Sequence, residues 1–355
     1  MEFLKKIQGQ LTTVGLDIGS YSIKLVKIKH VKKEYHLEAV GIKELEPGII
    51  ESGDIVNKEG LIDAVTTLIN QCDPSIVDVV ISMSGHGMLS EKFNFQIDPN
   101  ENIEEMILWE AGQRSPFDVD DITLDYKILR KLPGNNEIEV LLVAAKNKIM
   151  QNFIDLLYEA DLRPLIVDVD AFAVNNCYTL ESTADSVNST VVLLNIGHSL
   201  TNITFIKDGL YHSTRDFSTA GDFFCKTLNK NLDISEEAAI KLLQGDIDSS
   251  IDTNLVYSTI DYALEELSSG IDLAFSYFKS SEKIDKIDKI VVSGGGAYIP
   301  NMIKFLEDRY NTIVQLSNPL AYLHHEPGLF GAVNPEEISA FMTIAVGLAL
   351  RKVVY

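Results

Sequence analysis

Positive charge is scarce in this sequence: 30 Lys and Arg stand against 52 Asp and Glu in 355 residues, a formal net charge of −22. A chain this acidic offers no basic field to a phosphate backbone or an anionic lipid surface. That excludes bulk nucleic-acid binding and leaves any membrane contact to a protein partner. Cysteine is scarce too. Cys72, Cys177 and Cys225 lie far apart without CxxC spacing, so buried thiols in a reducing compartment are expected rather than a zinc site or redox pair. Long apolar runs are missing: nothing approaches 18 uninterrupted apolar residues, and the opening MEFLKKIQGQLTT lacks the apolar core and cleavage site of a signal peptide. These absences point to a cytoplasmic protein. Phe3, Leu4 and Ile7 beside Lys5 and Lys6 read either as a short amphipathic turn at a membrane surface or as a frayed or docked terminus. What is present is globular usage, 46% hydrophobic and 23% charged, and the length implies about two domains.

The chain repeats itself across its midpoint. At an offset of 178 residues Leu16-Asp17-Ile18-Gly19-Ser20 falls on Leu194-Asn195-Ile196-Gly197-His198. In each copy an apolar run ends in a polar residue and a Gly, hydroxyl residues follow, and a second β-rich run begins (Ile23 to Ile28, Ile203 to Ile206). Each reads as a strand–tight turn–strand hairpin whose free N–H groups suit a phosphate. One D-x-G turn says little; two in register at half the chain length say much more.

The remainder has an α/β pattern. A helix is expected over Lys58 to Asn70 and a buried strand over Val77 to Met83. From about Ser84 to Pro164 a smaller unit is expected: strands at Glu91 to Gln96, Ile122 to Leu129 and Ile138 to Ala145, helices at Asn102 to Gln113 and Lys148 to Ala160, and a hairpin turn at Pro133-Gly134-Asn135-Asn136. It reads as an insertion in the first domain, in whose core Trp109 is expected to be buried. Leu165 to Val169 resumes the first domain. Later, Ser235 should cap a helix over Glu236 to Leu243, and a long helix should span Leu255 to Phe278. A buried strand at Lys289 to Ser293 then runs into Gly294-Gly295-Gly296. The apolar helix Phe341 to Leu350 carries Ala345, Gly347 and Ala349 for close packing.

Two phosphate-type hairpins followed by a Gly-Gly-Gly turn form the constellation of a nucleotide held between two lobes. Alone, the triplet is equally a tight strand-to-helix turn. GxGxxG opening a helix and GxxxxGK[ST] are both absent, which disfavours Rossmann and P-loop sites. The sequence is similar over essentially its whole length to the actin-like ATPase superfamily, and within it resembles the PilM family of type IV pilus assembly proteins. Gly15 to Lys24 resembles the first phosphate motif, Leu193 to Asn202 the second and Val291 to Ala297 the adenosine motif. Asp168 to Asn176 and Phe341 to Arg351 resemble the connecting helices. Leu45 to Ile55, Trp109 to Asp118 and Val346 to Arg351 resemble the pilus branch in particular.

The resemblance implies an α/β actin-like ATPase fold: two ribonuclease-H-like domains with an inserted subdomain in the first. The first core would span residues 1–84 and 165–188, the insertion 85–164, the second core 189–220 and 286–355, and its mixed subdomain 221–285. It implies ATP and Mg²⁺ in the cleft between lobes. Gly19, Ser20, Ser22, Gly197, Ser199, Gly294, Gly295 and Gly296 would hold the nucleotide, with Lys24 either adding charge or facing solvent. Asp17 would orient water on the metal. Asn195 would offer the metal a neutral oxygen where relatives carry Asp. Asp168 and Asp170 are the candidates to position attacking water, with Asp170 equally readable as a helix N-cap. By eye, Ser269 and Asp272 fall where relatives grip ribose and adenine, unless Glu265 or Glu266 takes that place. Arg215, Gly221 and Asp222 match a stretch that approaches the phosphates. His324-His325-Glu326 reads as a surface loop rather than a metal site.

The implied role is a cytoplasmic nucleotide-binding adaptor, at most a slow ATPase. It would sit peripherally at the inner face of the membrane through the N-terminal tail of a PilN-like partner, docked between first core and insertion. Pro116 and Phe117 are candidates to line that groove, as is Trp109 if it is exposed rather than buried in the insertion's core. Assembly-motor and platform proteins, and a homodimer, are further expected contacts. The competing class is a polymerising actin-like protein of the cell-division type. That branch normally carries a C-terminal membrane helix after a linker, whereas this chain stops at Lys352-Val353-Val354-Tyr355.

Overall fold

The computed structural model describes residues 10–51, 53–97, 102–132, 136–182, 189–246, 251–282 and 286–352. The expected amphipathic turn at Phe3 to Ile7, and Pro133 to Asn135 of the expected hairpin turn, lie outside the described residues. The chain begins with β1 (Gln10–Ile18), β2 (Ser22–Val31), β3 (Glu34–Glu44), the short pair β4 (Ile50–Glu51) and β5 (Asp54–Ile55), α1 (Lys58–Cys72) and β6 (Asp78–Met83). β7 (Met88–Gln96), α2 (Ile103–Arg114), β8 (Ile122–Leu132), β9 (Glu137–Lys146) and α3 (Asn147–Glu159) follow, then β10 (Arg163–Val169) and α4 (Asp170–Glu181). The second half holds β11 (Thr190–Ile196), β12 (Thr201–Lys207), β13 (Leu210–Phe217), α5 (Gly221–Leu232), α6 (Glu236–Leu243), α7 (Thr253–Glu282) and β14 (Lys289–Ser293). It closes with α8 (Met302–Tyr310), β15 (Ile313–Leu316), β16 (His324–His325), α9 (Pro335–Ile338) and α10 (Thr343–Ala349).

The repeat seen in the sequence is a repeat of topology. The first sheet runs β10-β6-β1-β2-β3-β16 and the second β13-β12-β11-β14-β15. Leaving β16 aside, each has two antiparallel pairs from its opening meander and two parallel pairs from its crossovers. Even the hairpin register coincides: Asp17 faces Lys24, and 178 residues on, Asn195 faces Asn202. The central strands are apolar nearly throughout because both faces are covered. Leu16, Ile23 and Leu25 pack toward α1, while Val26 and Ile28 pack toward α10. Asn57 caps α1, accepting from Gly60 N at 3.0 Å, and the helix buries Leu61, Ala64, Val65, Leu68 and Ile69 at helical spacing. Each large apolar side chain buried this way contributes roughly 2 kcal/mol. Ser235 caps α6 as expected, its hydroxyl accepting from Ala238 N at 3.2 Å.

The insertion is a three-stranded sheet, β7-β9-β8, with α2 across one face. Its core is Phe93, Ile107, Ala111, Ile138, Val140 and Leu142. Two expectations fail here. Trp109 is 66% exposed, because α2 turns Ile107 and Ala111 inward and Trp109 outward. α3, expected within the insertion, packs Leu156 and Leu157 into the core of the first lobe, so the insertion's own unit ends with β9.

The lobes join through α4 and α10. Gly347 lies against the α4 backbone, where a Cβ would sit 1.9 Å from Ala173 O, and Asn176 Nδ2 donates to Gly347 O at 3.1 Å. α10 is buried along its whole length, wedged between α4 and β1.

Candidate functional site

The two hairpins meet across the cleft between the lobes. Gly19 N–H closes its turn on Ser22 C=O at 3.1 Å, and Gly197 N–H closes the matching turn on Leu200 C=O at 2.9 Å. The turn tips touch: Ser20 Oγ and Ser199 Oγ are 2.7 Å apart, and the Tyr21 and His198 rings lie 5.3 Å apart. Around them opens a cavity of about 600 Å³. Gly294, Gly295 and Gly296 line its wall, joined by Ile240, Leu243 and Tyr298. Gly294 has φ +81°, and a Cβ there would stand 2.4 Å from Ile196 O. Gly294 is thus required by the turn's packing, and Gly296 by its approach to the Ile196 side chain, while all three glycines line the cavity. Gly221 N–H and Asp222 N–H donate to Gly197 O (3.0 Å) and His198 O (2.7 Å), tying the start of α5 to the second hairpin.

Charge differs between the two hairpins. Lys24 is buried in the cleft, not solvent-facing: its Nζ is 3.2 Å from Asp17 Oδ2 and 4.4 Å from the centre of the Phe341 ring. At the matching positions, Asn195 Oδ1 accepts from Ser293 Oγ at 3.1 Å, and Asn202 Nδ2 donates to Asp216 Oδ1 at 2.6 Å. Ser22 Oγ, buried beside Lys24, has no hydrogen-bond partner. A buried hydroxyl without a partner is costly unless a ligand supplies one.

Asp170, the first residue of α4, lies at the cleft floor, open to the cavity yet ringed by protein. Burial, then the nearby Asp17 charge, raises its carboxyl from 3.8 to about 6, against the pull of hydrogen bonds from Ser82 and Ser84. The helix N-cap is Val169, without a side-chain capping bond. Asp168 is a correction: it is buried, accepts from Val169 N at 2.9 Å and has Arg351 Nε 3.0 Å from Oδ2. It does not line the cleft.

The expected ribose and adenine grip is a second correction. Glu265 and Asp272 bind Arg309 of α8 at 3.0 and 2.7 Å on the outer surface, and none of Glu265, Glu266, Ser269 and Asp272 lines the cavity. No acid at Asp272 therefore opposes a phosphate. Arg215 also leaves the cleft, its guanidinium 4.8 Å from the Tyr277 ring centre. His324 and His325 are exposed on β16, pairing with β3. Among the described residues no cluster of three or more His, Cys, Asp or Glu side chains can hold a metal ion.

A second, larger cavity of about 1030 Å³ runs between the insertion's open sheet face, β13 and α4. Lys92, Leu141 and Arg130 from the insertion, Phe172 and Asn176 from α4, and Tyr211 from β13 are among its walls. Ser90 Oγ and Tyr211 Oη, 3.0 Å apart, bridge it. Pro116 and Phe117 are not part of it: Pro116 is exposed elsewhere, and Phe117 lies under Lys146, whose Nζ is 4.9 Å from the ring centre. Among the described residues no helix is long and apolar enough to cross a membrane.

A family profile described as "Type IV pilus assembly protein PilM" matches residues 15–353. Among solved structures, the PilM-PilN type IV pilus biogenesis complex matches with a TM-score of 0.82 at 21% identity, covering 95% of this chain and 97% of that one. The ethanolamine utilization protein EutJ from Carboxydothermus hydrogenoformans follows at TM-score 0.58 and 14% identity, covering 96% and 89%. MreB5 of Spiroplasma citri bound to AMPPNP matches at TM-score 0.51 and 11% identity, covering 95% and 94%. With two matched sheets hinged at α4 and α10 around a glycine-lined cleft, the chain has the actin-like ATPase fold and belongs to the PilM family of type IV pilus assembly proteins.

Proposed function

We propose that, within type IV pilus assembly, this chain is a nucleotide-binding adaptor that holds ATP in the cleft and a membrane partner's N-terminal tail in the groove beside the insertion. The observation that carries the nucleotide reading is the buried, unpartnered Ser22 hydroxyl beside Lys24, on a hairpin whose register recurs in the other lobe. A hydroxyl and an ammonium at one turn suit phosphate oxygens. Ile240, Leu243 and Tyr298 give a base an apolar wall. Bound nucleotide would separate Ser20 from Ser199, each hydroxyl turning to a phosphate.

Mg²⁺ fits only in part. Asp17 and Asp170 offer carboxylates to the water shell of an ion carried in on the phosphates, the usual manner for this cation. Asn195 is the poorer ligand, a neutral oxygen with one lone pair already accepting from Ser293. Such an ion would screen phosphate charge. Asp170, rather than Asp168, is the group positioned to take a proton from water at the cleft floor, and its raised pKa suits that task. With a single acid so placed and Asp17 ion-paired to Lys24, we expect slow turnover or none.

The groove reading rests on volume and on location beside the insertion, with the family membership behind it. The insertion's open sheet face is met there by α4 of the first core and by β13 of the second rather than by the first core alone. The membrane contact would then be indirect, as an acidic surface requires. The test is titration of labelled ATP, with and without Mg²⁺, and of a peptide with the cytoplasmic tail sequence of a PilN-type membrane protein. Saturable binding of both is expected. A peptide that binds in no nucleotide state would sink the adaptor reading.

A further inference from the structure

Trp109 is the only tryptophan in the sequence, and the fold leaves it outside. Ile107 and Ala111 of α2 are wholly buried, while Leu108 and Trp109 are exposed by 37% and 66%. Val119, in the turn after the helix, is 52% exposed and lies against Gly112, where a Cβ would sit 3.1 Å from Val119 Cγ2. Gly112 is three and four residues on from Trp109 and Leu108, so the three apolar side chains share one face. Trp is among the residues most enriched in binding hot spots, and here it shares one exposed face with two further apolar side chains instead of standing as scattered surface apolarity.

The border of this patch is of one sign. Glu104 and Glu105 stand one helical turn before Leu108 and Trp109, and Asp118 and Asp120 flank Val119 with Asp121 following. Among the described residues none of the five forms an ion pair, while Lys146 sits over the Phe117 ring. The nearby cation, Arg114, is engaged by Glu110 at 2.8 Å and Glu91 at 3.7 Å. The patch is also separate from the groove. α2 covers the sheet face built from Ile138, Val140 and Leu142, whereas Lys92, Glu139, Leu141 and Val143 of the opposite face line the groove. Although Phe93 reaches both, none of Leu108, Trp109 and Val119 lines the groove. Two ligands can therefore occupy the insertion at once.

We propose that the outer face of α2 is a second docking surface, taking a basic segment of another protein with apolar side chains on one side. Leu or Phe side chains of that segment would pack on Trp109, Leu108 and Val119. Its Lys or Arg side chains would meet the five carboxylates and the face of the indole ring. An anionic lipid surface is the wrong partner, since the acids repel it.

Trp109 itself is the reporter. The probe is a short synthetic peptide with Lys and Leu at amphipathic helical spacing, titrated into the full chain alongside its Glu-for-Lys counterpart. The Lys peptide is expected to shift Trp109 emission to the blue and protect it from acrylamide, saturably and with salt sensitivity. Leu108→Ser should weaken binding about tenfold, and Glu104→Gln with Glu105→Gln by about fivefold, all three positions being exposed. Tyr262→Ser, on the exposed face of α7, should change nothing. The proposal is overturned if Trp109 emission does not respond, if the Glu peptide binds equally, or if Leu108→Ser binds as wild type. It is equally overturned if anionic vesicles give the same shift, or if the emission depends on protein concentration alone, which would make the face a self-contact.

Discussion

The first hairpin and the second share a register, a turn and a place in their sheets, yet one is charged and the other neutral. Asp17 and Lys24 face each other as a buried ion pair in the first; Asn195 and Asn202 stand at the same positions in the second, tied into amide and hydroxyl hydrogen bonds. Backbone geometry is therefore set by the repeat, and electrostatics by two side chains per copy. The difference teaches that the neutral hairpin is held by hydrogen bonds within its own lobe. The charged one keeps a cation and an unpartnered hydroxyl in the cleft.

That contrast breaks most visibly at Lys24. Lys24→Met leaves Asp17 buried without its partner and should cost about 3 kcal/mol, whereas Asn202→Met should cost about 1 kcal/mol. Chemical denaturation of both variants checks this, and equal losses would mean that the two hairpins are not electrostatically distinct.

Asp170 gives the next effect. Its folded-state pKa of about 6 lies above the ordinary 3.8, so the native state binds more protons between those values. Stability from this group is full below about pH 4 and is lost as pH rises through about 6. Asp170→Asn should remove that decline and leave the protein more stable than wild type at pH 7, read by thermal unfolding across the series. Parallel pH profiles would contradict the assigned environment.

Making the second hairpin resemble the first is a third test. Asn195→Asp adds a carboxylate at the cleft, and ATP affinity without divalent ions should fall by about tenfold, returning when Mg²⁺ is added. Titration in EDTA and in Mg²⁺ measures both arms. The smallest expected effect is Ser20→Ala, which removes the Ser20–Ser199 contact at a cost of about 1 kcal/mol or less. Faster hydrogen exchange at the two turns would register it, and unchanged exchange would show the contact to be idle.

Much of this was legible in the sequence, because the hairpin and its glycine turn recur together at 178 residues, whereas the matching strand order emerges only in the fold, its parallel strands recurring at other offsets. The insertion's existence was legible too, from its change of pattern. What failed depended on partners far apart in the chain. Asp272 reads as a misplaced acid until Arg309, on another helix, is brought to 2.7 Å. Asp168 and Asp170 are two residues apart at a strand-to-helix junction, and only partners the fold brings in, Arg351 on Asp168 and Ser82 with Ser84 on Asp170, distinguish the one that faces the cleft. Trp109 was readable: it stands about 200° around the helix from Ile107, opposite the buried face, a position its size alone obscures. Pro116 and Phe117 were expected in the groove from composition, but the sheet turns its other face there.

The central claim is that the charged hairpin makes this cleft a nucleotide site. Calorimetric titration of ATP into the wild-type chain and into Asp17→Asn with Lys24→Asn, which gives both hairpins the same amide pair, tests it most directly. Saturable binding by the wild type, weakened about a hundredfold in a variant of near-normal stability, is the predicted result. Equal affinity in both, or no binding by the wild type, would contradict it.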